Sequence, residues 1–355
     1  AQKMDEACQA KDEAAFREAI ERITVKALQK GVVGVDFAQI VGDEWRKGTL
    51  DDLIDKRVDL AVAEVRQETS LGSRLKSLID KDTAQTLANT VAERAYRSDA
   101  IKGALETLAG GVGSSVGRQV ELAIVDAAKP TLQCLEAYLG PRYGSTIART
   151  MAARASAAFE PHDAAPQISS GTLVYDGKEG IAGAAVLAVR RQLAGMASRM
   201  GQRLVGSVLG RLVSVVAGGI GIVLIGLELR SAWDGAFPII ANEMKSSDSK
   251  QKVRAELADA LSQQVGEQVR EIGAEADKRI VDVWQDLRRA HAKTLELAET
   301  KPAFRKLLDT TRPASLSRLD EVVAMVLAVE GESGIDKRLG DGTLHQAVNV
   351  LPASG

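Results

Sequence analysis

Residues able to do chemistry are few in this chain, and they are scattered. The three histidines, His162, His291 and His345, are far apart and none has a ligand-spaced partner; a zinc site takes three or four convergent donors. His162 lies in a Gly/Pro-rich stretch, and His291 is expected on an exposed helix face. No serine sits in a nucleophile elbow. Neither cysteine has a histidine nearby in sequence to activate it. The run Gly111-Val112-Gly113-Ser114-Ser115-Val116-Gly117 is glycine-rich, as nucleotide loops are. Its spacing departs from the dinucleotide fingerprint, a helical pattern precedes it, and no P-loop lysine follows. Gly113 and Gly117 read instead as small-residue helix contacts. The acid pairs Asp51-Asp52 and Asp320-Glu321 fall at expected helix starts, where the helix dipole accounts for them. The residues therefore assign no catalytic, cofactor-binding or metal role, and the expectation is a protein that is not an enzyme and holds no cofactor.

The two cysteines, Cys8 and Cys134, cannot build a zinc cluster. In an exported protein they could form one disulfide closing a long loop; in a cytosolic one they would be unrelated thiols. The opening Ala1-Gln2-Lys3 has the look of an end left by a signal peptidase, or of a scar before Met4. The expectation is an exported, cell-envelope protein, periplasmic or associated with the inner membrane, with a cytoplasmic location as the alternative.

The most informative stretch runs from Gly180 to Leu227. It holds Arg190, Arg191, Arg199, Arg203 and Arg211 and not one acid. Its first half spaces Val186, Val189, Leu193, Met196, Met200 and Leu204 along one side of a helix, giving a basic amphipathic segment. Residues 204–227 carry Arg211 as their sole charge and are long enough to span a hydrocarbon core. Trp233 follows where an interfacial anchor would sit. Small residues recur at Gly206, Gly210, Ser214, Gly218 and Gly226, a spacing that lets a second helix come close. Two readings compete. In one, Arg191, Arg199, Arg203, Arg211 and Trp233 meet lipid or a partner, and the small-residue face joins copies of the chain. In the other, the apolar helix is the buried spine of a helical domain whose arginines reach the surface. A single span would leave the arginine-rich flank outside, against the positive-inside tendency; a hairpin, an oligomer or burial removes the conflict.

These segments need helices to hold them. Lys+Arg (46) and Asp+Glu (48) nearly balance, which excludes the basic footprint of a nucleic-acid binder. Aromatics are 3%, too few for β-sandwich strands, and alanine, leucine and valine are abundant. The pattern predicts an all-α protein. Residues 1–160 form a multi-helix domain, with Ser98 capping one helix. Residues 161–180 form a Gly/Pro/Ser linker in which Thr172–Tyr175 could make a small hairpin. Residues 181–237 form a glycine-rich hydrophobic helical hairpin or span. Residues 238–300 form a long amphipathic helix, capped by Ser247 or Ser249 and liable to break near Gly266 or Gly273. Its apolar line runs Val253, Leu257, Leu261, Val265, Val269, Ile272, Ala276, Ile280, Val283, Leu287, nearer an eleven-residue repeat than a heptad. Residues 301–355 form a small helical cap and tail.

The function this implies is a non-enzymatic, membrane-associated, self-assembling scaffold or accessory component of a cell-envelope assembly. Its partners would be membrane lipid and itself, or other subunits of such an assembly, and not nucleic acid. Long amphipathic helices beside a glycine-rich hydrophobic hairpin are also the layout of helical pore-formers, in which Arg199, Arg203 and Arg211 would face a wet lumen. A soluble enzyme or ligand-binding protein, with the apolar helix as core, is the third expectation.

Overall fold

The computed structural model of the chain describes residue 8 and residues 12–148, 150–151, 180–218 and 233–349. Among them all regular structure is helical and there is no strand. The helices are α1 (Glu13–Val33), α2 (Phe37–Lys47), α3 (Leu50–Glu68), α4 (Leu71–Lys76), α5 (Lys81–Tyr96), α6 (Asp99–Tyr143) and α7 (Gly180–Gly218). They continue with α8 (Phe237–Met244), α9 (Ser247–Ala290), α10 (Ala292–Thr300), α11 (Pro302–Thr310), α12 (Leu316–Gly340) and α13 (Thr343–Asn349). The expected linker hairpin, Gly226 and the rest of 219–227, and the C-terminal tail lie outside the described residues.

The chain divides into two compact units, each built from separated segments. One comprises Ala1–Gly31, Val120–Arg191 and Val269–Gly355; the other comprises Val32–Gln119 and Gln192–Gln268.

The unit containing α2 to α5 owes its helix boundaries to short polar residues. Asp36, Ser70 and Asp80 each accept a bond from the backbone N–H three residues on, capping α2, α4 and α5. Its core collects the apolar faces: Phe37, Val41 and Trp45 of α2, Ile54, Val58 and Val65 of α3, and Ala88, Val91 and Ala95 of α5. The Trp45 Nε1–H donates to Asp51 across the α2–α3 turn (2.9 Å). Gly235 has φ +63°, and a Cβ there would lie 2.6 Å from the Arg74 carbonyl oxygen. Only glycine serves both needs.

The other unit is built on aromatic packing and one covalent tie. Cys8 is joined to Cys134 of α6. Phe16 stacks on Tyr138 with ring centroids 4.0 Å apart, and Tyr143 lies against Trp284. Phe304, Leu308, Leu319 and Val323 complete the same core. Gly273 of α9 sits where a Cβ would come within 3.0 Å of Val25, so α1 and α9 approach closely there.

Three local expectations are corrected. The α9 helix runs unbroken through Gly266 and Gly273, because the burial of Val265, Val269 and Ile272 outweighs the weak helix propensity of glycine. Its first turn is capped by Ser246, whose Oγ accepts from the Ser249 N–H (3.1 Å). Ser98 does not cap α6: its hydroxyl donates backwards to the Ala95 carbonyl (2.7 Å).

Candidate functional site

The described part of the acid-free segment is α7, and its burial decides which face does what. Met200, Leu204, Val208, Leu209, Leu212, Val213, Val216 and Ala217 are buried in protein. Gln202, Arg203, Gly206, Ser207, Gly210, Arg211, Ser214 and Gly218 form the exposed face. From residue 199 to 218 the apolar side of this helix is therefore taken up by the core of its own unit, and the side chains of 181–198 lie outside the described residues. Among the described residues no helix is long and apolar enough to cross a membrane. Among the described residues, Gly206, Gly210 and Gly218 are not what brings helices together. A Cβ added at Gly206, Gly210 or Gly218 would meet nothing within 4 Å, whereas at Gly201 it would lie 3.2 Å from the Glu106 carbonyl oxygen. The close approach to α6 thus uses Gly201, on the buried side.

Within this unit α7 runs antiparallel to α9. Arg211 faces Glu256 (3.4 Å), and Gln264 Nε2 donates to Ser207 Oγ (3.2 Å), which itself donates to the Arg203 carbonyl (3.0 Å). Where Gly206 has no side chain and Ser207 a small one, a groove of about 410 Å³ opens. Among the described residues it is lined by Arg203, Gly206 and Ser207 from α7 and by Gln264, Glu267 and Gln268 from α9. Gln268 is only 4% exposed, yet neither its amide nitrogen nor its oxygen has a hydrogen-bond partner; Gln264 Oε1 has none either. Buried amides left so are uncommon and call for a reason. The sequence reading passed over Gln264, Glu267 and Gln268. The signal was present: Gln268 lies three residues after Val265 and seven after Leu261, a polar residue on the apolar line of α9.

The remaining sequence candidates fall elsewhere. Arg199 is exposed on α7, and Arg191 lies in α7 with its side chain outside the described residues. Trp233 is 64% exposed beside Asp234, which pairs with Arg66. His345 is exposed, and His162 lies outside the described residues. His291 is not on an exposed face: it is 3% exposed, with Nδ1 2.5 Å from Asp320 Oδ2, while the Thr294 hydroxyl donates to Asp320 Oδ1 (2.5 Å). Asp320 therefore serves as an acceptor tying α10 to α12, beyond any service to a helix start. The Thr294 proton is turned towards the carboxylate.

In two further hollows several of the lining charges are paired with one another. One of about 420 Å³ is lined by Arg57, Glu93, Arg94, Arg97, Ser98 and Asp99. Arg94 grips Glu68 with both terminal guanidinium nitrogens (2.7 and 2.9 Å), and Arg97 pairs with Glu93 (2.5 Å). That grip holds the Glu68 carboxyl below the ordinary range. A second hollow, of about 210 Å³, lies beside Lys293 and Lys301, which pair with Glu296 and Asp336. Tyr143 donates to Glu299; burial first, and that bond second, push its phenol up, so it remains a donor. No group of three metal-ligating side chains converges among the described residues.

No protein-family model, no curated protein and no solved structure matches the chain. What the arrangement can do has to be read from its own geometry: an open, small-residue helix face, and at one end of it a polar groove.

Proposed function

We propose that this chain is a non-enzymatic, self-associating helical scaffold or accessory component of a cell-envelope assembly. The observation that carries the reading is the face of α7 formed by Gly206, Gly210, Ser214 and Gly218. It is exposed, open above each glycine, and borne on a helix whose other face is fixed in a core. Small residues in such a row let a second backbone approach closely, and Arg203 and Arg211 border it with charge. A two-fold arrangement would place this face against itself in a second copy. The Cys8–Cys134 disulfide supports an oxidising compartment.

Replacing Gly210 and Gly218 by leucine tests this. Leucine is the better helix former by roughly 0.8 kcal/mol per site, so the monomer should not unfold. Sedimentation or light scattering should show the wild-type oligomer and a smaller species in the double variant. An unchanged oligomer, or a wild type that is monomeric at every concentration, sinks the reading.

One observation supports lipid contact as part of that role. Leu71, Leu75, Ile79 and Trp233 are exposed in the unit where Gly235 packs on Arg74 and Asp234 pairs with Arg66. Exposed tryptophan beside aliphatic residues is suited to the membrane interface. Trp45 and Trp284 are each 1% exposed, so a shift of tryptophan emission on adding anionic vesicles reports Trp233. The expected blue shift should disappear in Trp233→Ser; no shift with any vesicle removes lipid from the proposal. Release of an entrapped dye would favour a channel over a scaffold.

A further inference from the structure

We propose that the surface which meets a second copy of this chain is α7 and α9 together, with α7 of each copy laid antiparallel on α9 of the other. The proposal rests on the self-association reading and adds to it the partner helix and the two-fold axis.

The distribution of charge carries it. From 192 to 218 the chain holds Arg199, Arg203 and Arg211 and no acid; from 255 to 269 it holds Glu256, Asp259 and Glu267 and no lysine or arginine. Within their unit the two stretches lie side by side and run in opposite directions, so a basic strip borders an acidic one. Arg203, Arg211, Asp259 and Glu267 are exposed, and Glu256 is half-buried. Arg203 and Glu267 stand at one level, on opposite helices of the groove beside Gly206. Arg211 and Glu256 stand at another, 3.4 Å apart. That contact uses one guanidinium nitrogen and one carboxylate oxygen, and both groups have further bonding capacity.

Two kinds of two-fold axis can bring this surface against itself. An axis across the helices lays α7 on α7 and sets arginine against arginine. An axis along the groove exchanges the strips: Arg203 of each copy comes over Glu267 of the other, and Arg211 over Glu256. Only the second is electrostatically complementary. The outer side of α9 also admits a close neighbour. Ala255, Asp259, Ser262 and Gly266 share one face, and a Cβ at Gly266 would meet nothing within 4 Å. Gly206, Gly210 and Ser214 of one copy then meet small residues of the other, as close approach of two helices requires.

Sedimentation equilibrium of the intact protein tests this with two charge reversals at exposed positions, Arg203→Glu and Glu267→Arg. Each variant alone sets like charges at both symmetry-related crossings and should weaken the wild-type association by about tenfold or more. Mixed in equal amounts, the two variants should recover it, because each of these crossings in the mixed dimer again pairs opposite charges. Added salt should weaken the wild-type dimer. If Glu267→Arg associates as tightly as wild type, α9 lies outside the contact; the proposal is then overturned while self-association stands. A mixture no tighter than its components, or a dimer that salt tightens, overturns it in the same way. A wild type that is monomeric at every concentration removes both the proposal and the reading beneath it.

Discussion

In the disulfide-tied unit, His291 and Thr294 are buried and both are satisfied by one carboxylate, Asp320. In the other unit, Gln268 is buried to the same degree and bonded to nothing, with Gln264 Oε1 beside it in the same state. The two clusters face the same physical demand, since polar groups removed from water must be paired or they destabilise the fold. One meets it internally and is thereby spent on structure. The other leaves it unmet inside the fold. A histidine is the residue type that draws attention in a sequence, and a glutamine is not; the structure reverses their interest.

The contrast can be strained from several directions. The largest effect should come from the covalent tie. Opening Cys8–Cys134, whose partners are 126 residues apart, should cost about 4–5 kcal/mol on loop entropy. Hydrogen exchange should show the loss in α10 to α13 and spare α3 and α5. Equal loosening of both units would mean that they do not behave as separate cooperative blocks.

Next comes the acceptor of the satisfied cluster. Asp320→Ala removes the carboxylate that serves His291 Nδ1 and the Thr294 hydroxyl in the core and should cost about 2–3 kcal/mol in a urea titration. Gln268→Leu in the other unit should go the opposite way, gaining about 1 kcal/mol. Two losses of similar size would erase the distinction between the clusters.

The smallest effect is shared by both units. Glu330 is held below the usual carboxylate range by its bond to Arg338, and Asp80 by its bonds to the Thr83 hydroxyl and N–H. Depressed carboxylates stabilise above their ordinary values of 4.5 and 3.8, and that contribution fades as pH falls through the lowered folded-state values. Denaturant midpoints should therefore drop on acidification towards about pH 3, and less steeply in Glu330→Gln. A midpoint that rises on acidification would contradict the assigned ion pair.

Much of the helical layout was legible. The apolar line of α9 from Val253 to Leu287 is periodic in the sequence, and those of its side chains that are described lie in the core or against it. The same periodicity could not say which face of α7 faced inward. Leu204, Val208, Leu212 and Val216 form one stripe and Gly206, Gly210, Ser214 and Gly218 another, and either could have carried the packing. The structure chose the first, because large aliphatic side chains bury far more surface than glycines. His291 was misplaced for a related reason: its burial depends on Asp320, a residue on another helix, which local spacing does not reveal.

By itself the sequence determined that the chain is helical, since composition and periodicity act over a turn or two and need no distant partner. It also marked the acid-free segment and its row of small residues. Only the tertiary structure decided that the row lies open, that Cys8 reaches Cys134, and that Gln268 is sealed in without a bond. Each of these depends on which segments far apart in the chain are brought together, and pairing at that range follows from the packing of whole helices.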